Sequence, residues 1–170
     1  ISVEKKLGVP VILLVIKQLN VNHYTMEKIA KNRKAYFQYE ILEKIEAGII
    51  LTGTEVKSIR NKDVSINESF AHISNNEIFI HEMHIGQYKQ GNTQNHEPKR
   101  LRKLLLHKRE INKLIGKVKQ KGYTIVPLSL YYKEGRVKVE LALVRGKTIV
   151  DKREDIKKRT IEREIQRAMR

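Results

Sequence analysis

Six histidines, 19 Asp plus Glu and no cysteine bound the chemistry open to this 170-residue chain. Without cysteine there is no thiolate nucleophile, no thiolate zinc site and no disulfide framework. His81-Glu-Met-His84 places its rings at i and i+3, not at the i, i+4 of a helical zinc motif. On the strand expected there, alternation sends the two rings to opposite faces. Gly146-Lys147-Thr148 lacks the upstream glycine of a phosphate-binding loop, and no serine elbow occurs. Glu40, Glu43 and Glu46 are close enough to suggest paired-carboxylate catalysis, but in so basic a chain ion pairing is the expected state. This reading leaves no catalytic residue, no metal and no cofactor.

The charge is more informative. Lys plus Arg number 35, for a net +16, with 32% charged and 40% apolar residues. That balance is too apolar for a disordered basic tail and too charged for a membrane bundle, and it suits one folded cytoplasmic domain. Half of the net charge lies between residues 95 and 121. There Lys99, Arg100, Arg102, Lys103, Lys108, Arg109, Lys113, Lys117, Lys119 and Lys121 meet only Glu97 and Glu110. A solvated helix face is the plain explanation of such a run, but it does not account for the scarcity of acids. Neutralisation of phosphates does. Tyr36, Phe37 and Tyr39 follow Asn32-Arg33-Lys34, and bases interleaved with rings suit structured RNA better than duplex DNA. The same rings could instead fill a core.

The elements that must position these residues are mostly strands. Gln38 to Leu42 and Gly48 to Thr52 are rich in β-branched and aliphatic residues, and Gly53 to Arg60 reads as a short helix with Val56 and Ile59 on one face. Ser69 to Ile73 and Glu77 to His84 flank Ser74-Asn-Asn76 as a hairpin, and residues 87–98 read as a loop. Leu104, Ile111, Leu114, Ile115 and Val118 mark an apolar helix face, closed by Gly122. Thr124 to Tyr132 is a strand in which Pro127 demands an edge or bulge. After the turn Lys133-Glu-Gly-Arg136, Val137, Val139, Leu141 and Leu143 form the apolar face of a return strand. The expected fold is mainly β with α: a small closed OB-like β-barrel of about six strands with three helices and a basic C-terminal tail.

The first 25 residues differ in texture. Val9 to Ile16 is apolar and follows Lys5 and Lys6, yet it is too short to span a bilayer and no small-residue cleavage site follows. Residues 1–25 read as an extension outside the native chain, before a start at Met26, with an extra strand or helix docked on the core as the alternative.

Six ordered stretches carry a resemblance. They are Asn32-Arg-Lys-Ala35 with Tyr39, Glu46-Ala-Gly48, Gly53 to Arg60, Arg102 to Ile111, Gly122 to Leu128, and Asp151-Lys152-Arg153. Together, from about Asn32 to Arg170, the chain resembles the SsrA-binding protein (small protein B) family, the tmRNA partners of trans-translation. The resemblance implies an OB-like barrel, residues 26–150, that binds the tRNA-like domain of tmRNA and is monomeric. It places RNA contacts at Asn32, Glu46, Leu105 and His107, with Arg102, Lys103, Lys108 and Arg109 around them. Arg33, Lys34, Tyr39 and Lys57 lie in the same matched stretches. Leu105 would then turn outward while Leu104 and Leu106 fill the interior, and Glu46 would either accept hydrogen bonds from base amino groups or pair with a lysine or arginine.

The resemblance further implies that residues 151–170 enter the empty mRNA channel of a stalled ribosome near the small-subunit decoding centre. Gly146, Lys147, Asp151, Lys152, Arg153, Lys157, Lys158, Arg159 and Met169 are the expected ribosome contacts. Glu154–Lys158 and Asp155–Arg159 are i, i+4 pairs, and Ile161, Ile165 and Met169 make only a thin apolar stripe. The tail is therefore expected to be disordered alone and helical on the ribosome. Two departures stand out: Tyr36 and Phe37 occupy positions where the family has basic residues or histidine, and Thr148 and Val150 replace a lysine and a ring. A generic OB-type tRNA- or rRNA-binding ribosomal protein is the alternative, and an RNA-processing enzyme using Glu43 or Glu46 is a third.

Overall fold

A computed structural model describes residues 27–91, 95–119 and 122–169. The extension at 1–25 and the start at Met26 lie outside the described residues. The elements run β1 (Glu27–Lys31), α1 (Arg33–Gln38), β2 (Tyr39–Ile49), α2 (Gly53–Arg60), β3 (Val64–Ser65), β4 (Phe70–Ser74), β5 (Glu77–His81), β6 (His84–Ile85), β7 (Arg102–Leu105), α3 (Lys108–Val118), β8 (Tyr123–Lys133), β9 (Arg136–Gly146) and α4 (Ile149–Ala168).

Six of these strands pair in the order β8-β4-β5-β7-β2-β9, and β8 pairs again with β9, so the sheet closes on itself. Closure removes the exposed edges that an open sheet would leave. Residues turned inward by each ring strand meet in one core: Ala47, Ala71, Ile78, Ile80, Leu104, Ile125, Leu130, Val139, Leu141 and Leu143, joined by Ile59 of α2 and Leu114 of α3. A smaller cluster lies on the other face of β8 and β9, where Val126, Leu128, Ala142 and Val144 pack under Ala35 of α1. This explains why the end of β9 is apolar on both faces.

Local chemistry sets the turns. Lys133 pairs with Arg136 across Glu134 (φ 52°) and Gly135 (φ 72°), a two-residue turn of the type whose twist suits a hairpin. Ser74 and Glu77 pair across Asn75 and Asn76 in the same left-handed conformation, which asparagine tolerates. Pro127 sits where β8 changes neighbour, from β4 at Ile125 to β1 at Ser129, and the β8–β9 register shifts between Pro127 and Ser129. The bulge predicted from the proline is present.

Four expectations need correction. Leu104 belongs to a strand, because Arg102 and Leu104 alternate inward, and the helix begins only at Lys108. Glu77 to His84 is not one strand: Glu82 at φ 54° ends β5, so His81 and His84 fall on different strands. The stretches at 38–42 and 48–52 are replaced by one eleven-residue strand, β2, and Thr52 caps α2. Finally α1 is a fourth helix, started by Asn32, whose Oδ1 accepts from the Ala35 amide at 2.9 Å.

One charged cluster lies inside the fold. Glu55 and Arg102 are both fully buried, with Arg102 Nε donating to Glu55 Oε1 at 2.7 Å. Arg100 donates to both oxygens of the same carboxylate, at 2.8 and 2.6 Å. The remaining Arg102 donors reach the carbonyls of Met83, Arg100 and Pro98 at 2.6, 3.0 and 2.9 Å. Burial pushes the Glu55 carboxyl up, but Arg100, the Thr52 amide and Arg102 outweigh it and hold it below the usual carboxylate range. A carboxylate depressed in the fold adds stability above its unfolded pKa of about 4.3, lost as pH falls through the lower folded value. Glu55→Gln leaves a buried guanidinium without its counter-charge and is expected to cost about 3–5 kcal/mol, read as a lowered urea midpoint. It should also flatten the loss of stability on acidification below about pH 4.

Candidate nucleic-acid interface

Strand parity decides what faces out. On β2 after its bulge at Ile41–Glu43, Ala47 turns inward while Lys44, Glu46 and Gly48 turn outward. On β7, Arg102 and Leu104 are buried, so Lys103 and Leu105 face out, and Leu105 is 52% exposed. Gly48 pairs with Leu105 across the two strands. A Cβ at Gly48 would lie 3.2 Å from Leu105 Cβ, so the glycine is what lets this leucine lie over the sheet. Glu46, two residues from Gly48, is therefore a diagonal neighbour of Leu105. His107, Lys108 and Arg109 follow, exposed at the start of α3, where the His107 amide donates to Glu110 Oε2 at 2.8 Å. Among the described residues Lys108 and Arg109 have no acid within ion-pair distance.

Glu46 is held rather than free. The Tyr131 hydroxyl donates to it at 2.7 Å, Lys133 Nζ at 3.0 and 3.1 Å, and Lys138 Nζ lies 3.8 Å away. The Tyr131 bond first, then Lys133 and Lys138, keeps the carboxyl below its usual range against partial burial. Burial and Glu46 in turn push the Tyr131 phenol up. Of the two fates expected for Glu46, pairing inside the protein is present, yet about a third of its side chain remains exposed. Sequence reading missed Lys44, Tyr131, Lys133 and Lys138. The alternation of Lys138 with Val139 was the available signal for the last, but only the pairing of β2 with β9 brings it to Glu46.

Two grooves meet at this point. One, of about 450 Å³, is lined by Lys28, Lys31, Tyr36, Lys44, Glu46 and Tyr131. Lys31 and Lys44 stand 5.3 and 5.9 Å from the centre of the Tyr36 ring. The other, of about 350 Å³, is lined by Gly48, Arg60, Leu105, Arg136 and Lys138. Glu43, the other carboxylate considered for catalysis, pairs with Lys113 at 2.6 Å and with Lys117. Those hydrogen bonds hold it below its ordinary range.

Other expected contact residues sit elsewhere. Asn32 is buried: its amide donates to the carbonyls of Ile66 and Pro127 at 3.1 and 3.2 Å, and its oxygen caps α1. Its side-chain amide is engaged inside the fold, and it fixes the entry to α1 that exposes Arg33 and Lys34. Arg102 is likewise internal, for the reason given above. Lys34 pairs with Glu68 at 2.6 Å, Lys103 pairs with Glu77, and Tyr39 is half-buried beside the smaller core. Lys57 lies over Tyr88, 5.1 Å from its centre.

The C-terminal positions divide in the same way. Gly146 ends β9, and Lys147 Nζ bridges the Tyr36 carbonyl at 3.1 Å and Asp155 Oδ2 at 2.6 Å. Asp155 thus turns back toward the barrel, and among the described residues Glu154 and Lys158 do not reach ion-pair distance. Thr148, an unexpected residue, caps α4: its amide and hydroxyl donate to Asp151 Oδ2 at 3.0 and 2.8 Å, lowering that carboxyl's pKa. Arg153, Lys157 and Lys158 are exposed, Lys152 is half-buried, and Met169 is 83% exposed. Arg159 lies within α4. No described helix is long and apolar enough to cross a membrane.

The internal and surface roles separate in a stability measurement. Asn32→Ala, which orphans an amide and two buried carbonyls, should lower the unfolding free energy by about 1–3 kcal/mol in urea. Lys34→Ala, at an exposed pair, should change it by no more than about 1 kcal/mol.

Known proteins similar to this chain share one family description. The family model described as SmpB protein matches residues 29–170. Similar chains named SsrA-binding protein include those of Carboxydothermus hydrogenoformans, 60% identical over 85% of this chain and 98% of that one, and Geobacillus kaustophilus, 58% identical over 84% and 92%. The relative in Geobacter sulfurreducens is 54% identical over 84% of this chain and 93% of its own length. A solved structure described as "tmRNA-SmpB: a journey to the center of the bacterial ribosome" matches with a TM-score of 0.60 and 50% identity, over 71% of this chain and 85% of that chain.

Proposed function

This chain belongs to the SmpB family, and from that premise we propose that it is a non-catalytic adaptor of trans-translation in the cytoplasm. It binds the tRNA-like domain of tmRNA and brings it to ribosomes stalled on truncated messages. The observation that carries this reading is the outward placing of Glu46 and Leu105 as diagonal neighbours, an oriented carboxylate beside an exposed apolar side chain, rimmed by His107, Lys108 and Arg109. A carboxylate already fixed by Tyr131 and Lys133 can accept from base amino groups, the leucine packs on a base face, and the free cations meet phosphates. The carboxylates Glu43 and Glu46 are committed to lysines, which favours binding over acid–base chemistry.

The tail reading follows from α4. Its apolar residues Ile156, Ile161 and Ile165 are each more than half exposed, so little tertiary packing supports the helix beyond its first turns. Helices of this kind are marginal in water. We assign residues 151–170 to the empty mRNA channel, where rRNA phosphates would complete the charge pairing of Arg153, Lys157 and Lys158.

Two experiments test these parts. A chain ending at Val150 should bind tmRNA with unchanged affinity and lose peptide tagging on stalled ribosomes; tagging that survives removes the tail from the mechanism. Glu46→Ala should weaken tmRNA binding roughly tenfold without lowering the melting temperature by more than a few degrees, at the level of one base contact. Unchanged affinity would take Glu46 out of the interface.

A further inference from the structure

The outer face of the β4–β5 hairpin is unusually aromatic for this chain. The protein has three phenylalanines and no tryptophan, and two of the three, Phe70 and Phe79, lie on this face. Alternation puts Ala71, Ile78 and Ile80 into the core, so Phe70, His72, Phe79 and His81 turn outward. The register sets Phe70 opposite His81 and His72 opposite Phe79. Phe70 and His81 are stacked, with centroids 5.0 Å apart and planes within 7°, and His72 meets His81 edge-on at 6.1 Å. Phe70 nonetheless remains 41% exposed.

This tract is continuous with the interface already described. Phe79 pairs with Lys103 of β7, whose next outward residue is Leu105. On its other side it opens into a groove of about 550 Å³ lined by His72, Ile115, Val118, Lys119 and Tyr123. The acid on this face, Glu77, is neutralised by Lys103. An exposed apolar sheet face with π-faces, imidazole donors and cations at its margins matches unpaired nucleobases better than a protein surface.

We propose that the outer face of β4 and β5 is a stacking platform for unpaired bases of the same RNA that docks at Glu46 and Leu105. Phe70 and Phe79 supply the faces, and His72 and His81 supply edge hydrogen bonds. Lys119 pairs the backbone of a strand leaving through the groove. The proposal rests on the tRNA-like-domain reading for its ligand, while the geometry of the platform stands apart from Glu46.

The test uses the full chain and the isolated tRNA-like domain of tmRNA, with 2-aminopurine in its unpaired positions. Phe70→Leu should weaken binding roughly tenfold and abolish part of the stacking quench, whereas Phe70→Tyr should stay within about twofold of the parent. Phe79→Leu is read in the same way should Phe70→Leu lower the melting temperature. Leu105→Ala is the reference variant. If Leu105→Ala weakens binding and the phenylalanine variants do not, the platform is overturned and the docking reading stands. If neither matters, the docking reading falls as well. A tyrosine variant as weak as the leucine variant contradicts stacking. Loss of self-association in Phe70→Leu with RNA binding intact would make a second copy of the chain the occupant and overturn the proposal.

Discussion

Arg102 must point inward, and much of the functional surface follows from that one requirement. A strand alternates strictly, so placing a guanidinium in the core against Glu55 puts Lys103 out, Leu104 in and Leu105 out. The cluster also ties α2, through Glu55, to the segment entering β7, through Arg100. A buried ion pair of this kind adds little net stability compared with apolar packing. What it contributes here is register. A one-residue slip of β7 would bury Lys103 and Leu105 and turn the charged Arg102 outward, leaving the partly exposed Arg100 as the remaining guanidinium on the buried Glu55.

The excess of positive charge is organised by the few acids among it. Glu40 pairs with Arg145, Glu43 with Lys113 and Lys117, Glu46 with Lys133 and Lys138, and Glu140 with Lys44. Such surface pairs are each worth no more than about 1 kcal/mol. Their effect is positional: lysines on β8 and β9 are gathered around the outer face of β2, and Glu43, on the alternate parity of that strand, ties down two lysines of α3, instead of the cations repelling one another away from it. The cations left over, such as Lys108 and Arg109 at the start of α3, are those with charge to spare for a polyanion. The same logic governs the junction with α4, where Lys147 joins the α1 backbone to Asp155 and sets the direction in which the helix leaves the barrel.

Much of this was legible in the sequence. Period-two alternation, the asparagine and glycine turns and the single proline in β8 identify the hairpins and the bulge, because each is dictated by local backbone sterics. The outward turn of Leu105 was also recoverable, through the resemblance of its segment to a family rather than through hydropathy. Less legible were short elements whose pattern is ambiguous. Arg102 to Leu105 is too short to distinguish a strand from the first turn of a helix, and α1 has no apolar repeat of its own.

The amino-acid order alone determined a small, mainly β domain of strongly basic character, since composition and alternation are local properties. Which of the polar and basic residues stay at the surface was decided only by tertiary structure. Asn32 and Arg102 look like surface polar residues in sequence, yet each is buried because the closing sheet needs a donor for orphaned carbonyls or a partner for Glu55. Glu46, conversely, acquires Tyr131 and Lys133 from one strand more than eighty residues away. Closure of the ring decides these contacts, and no local pattern encodes which distant strand becomes a neighbour.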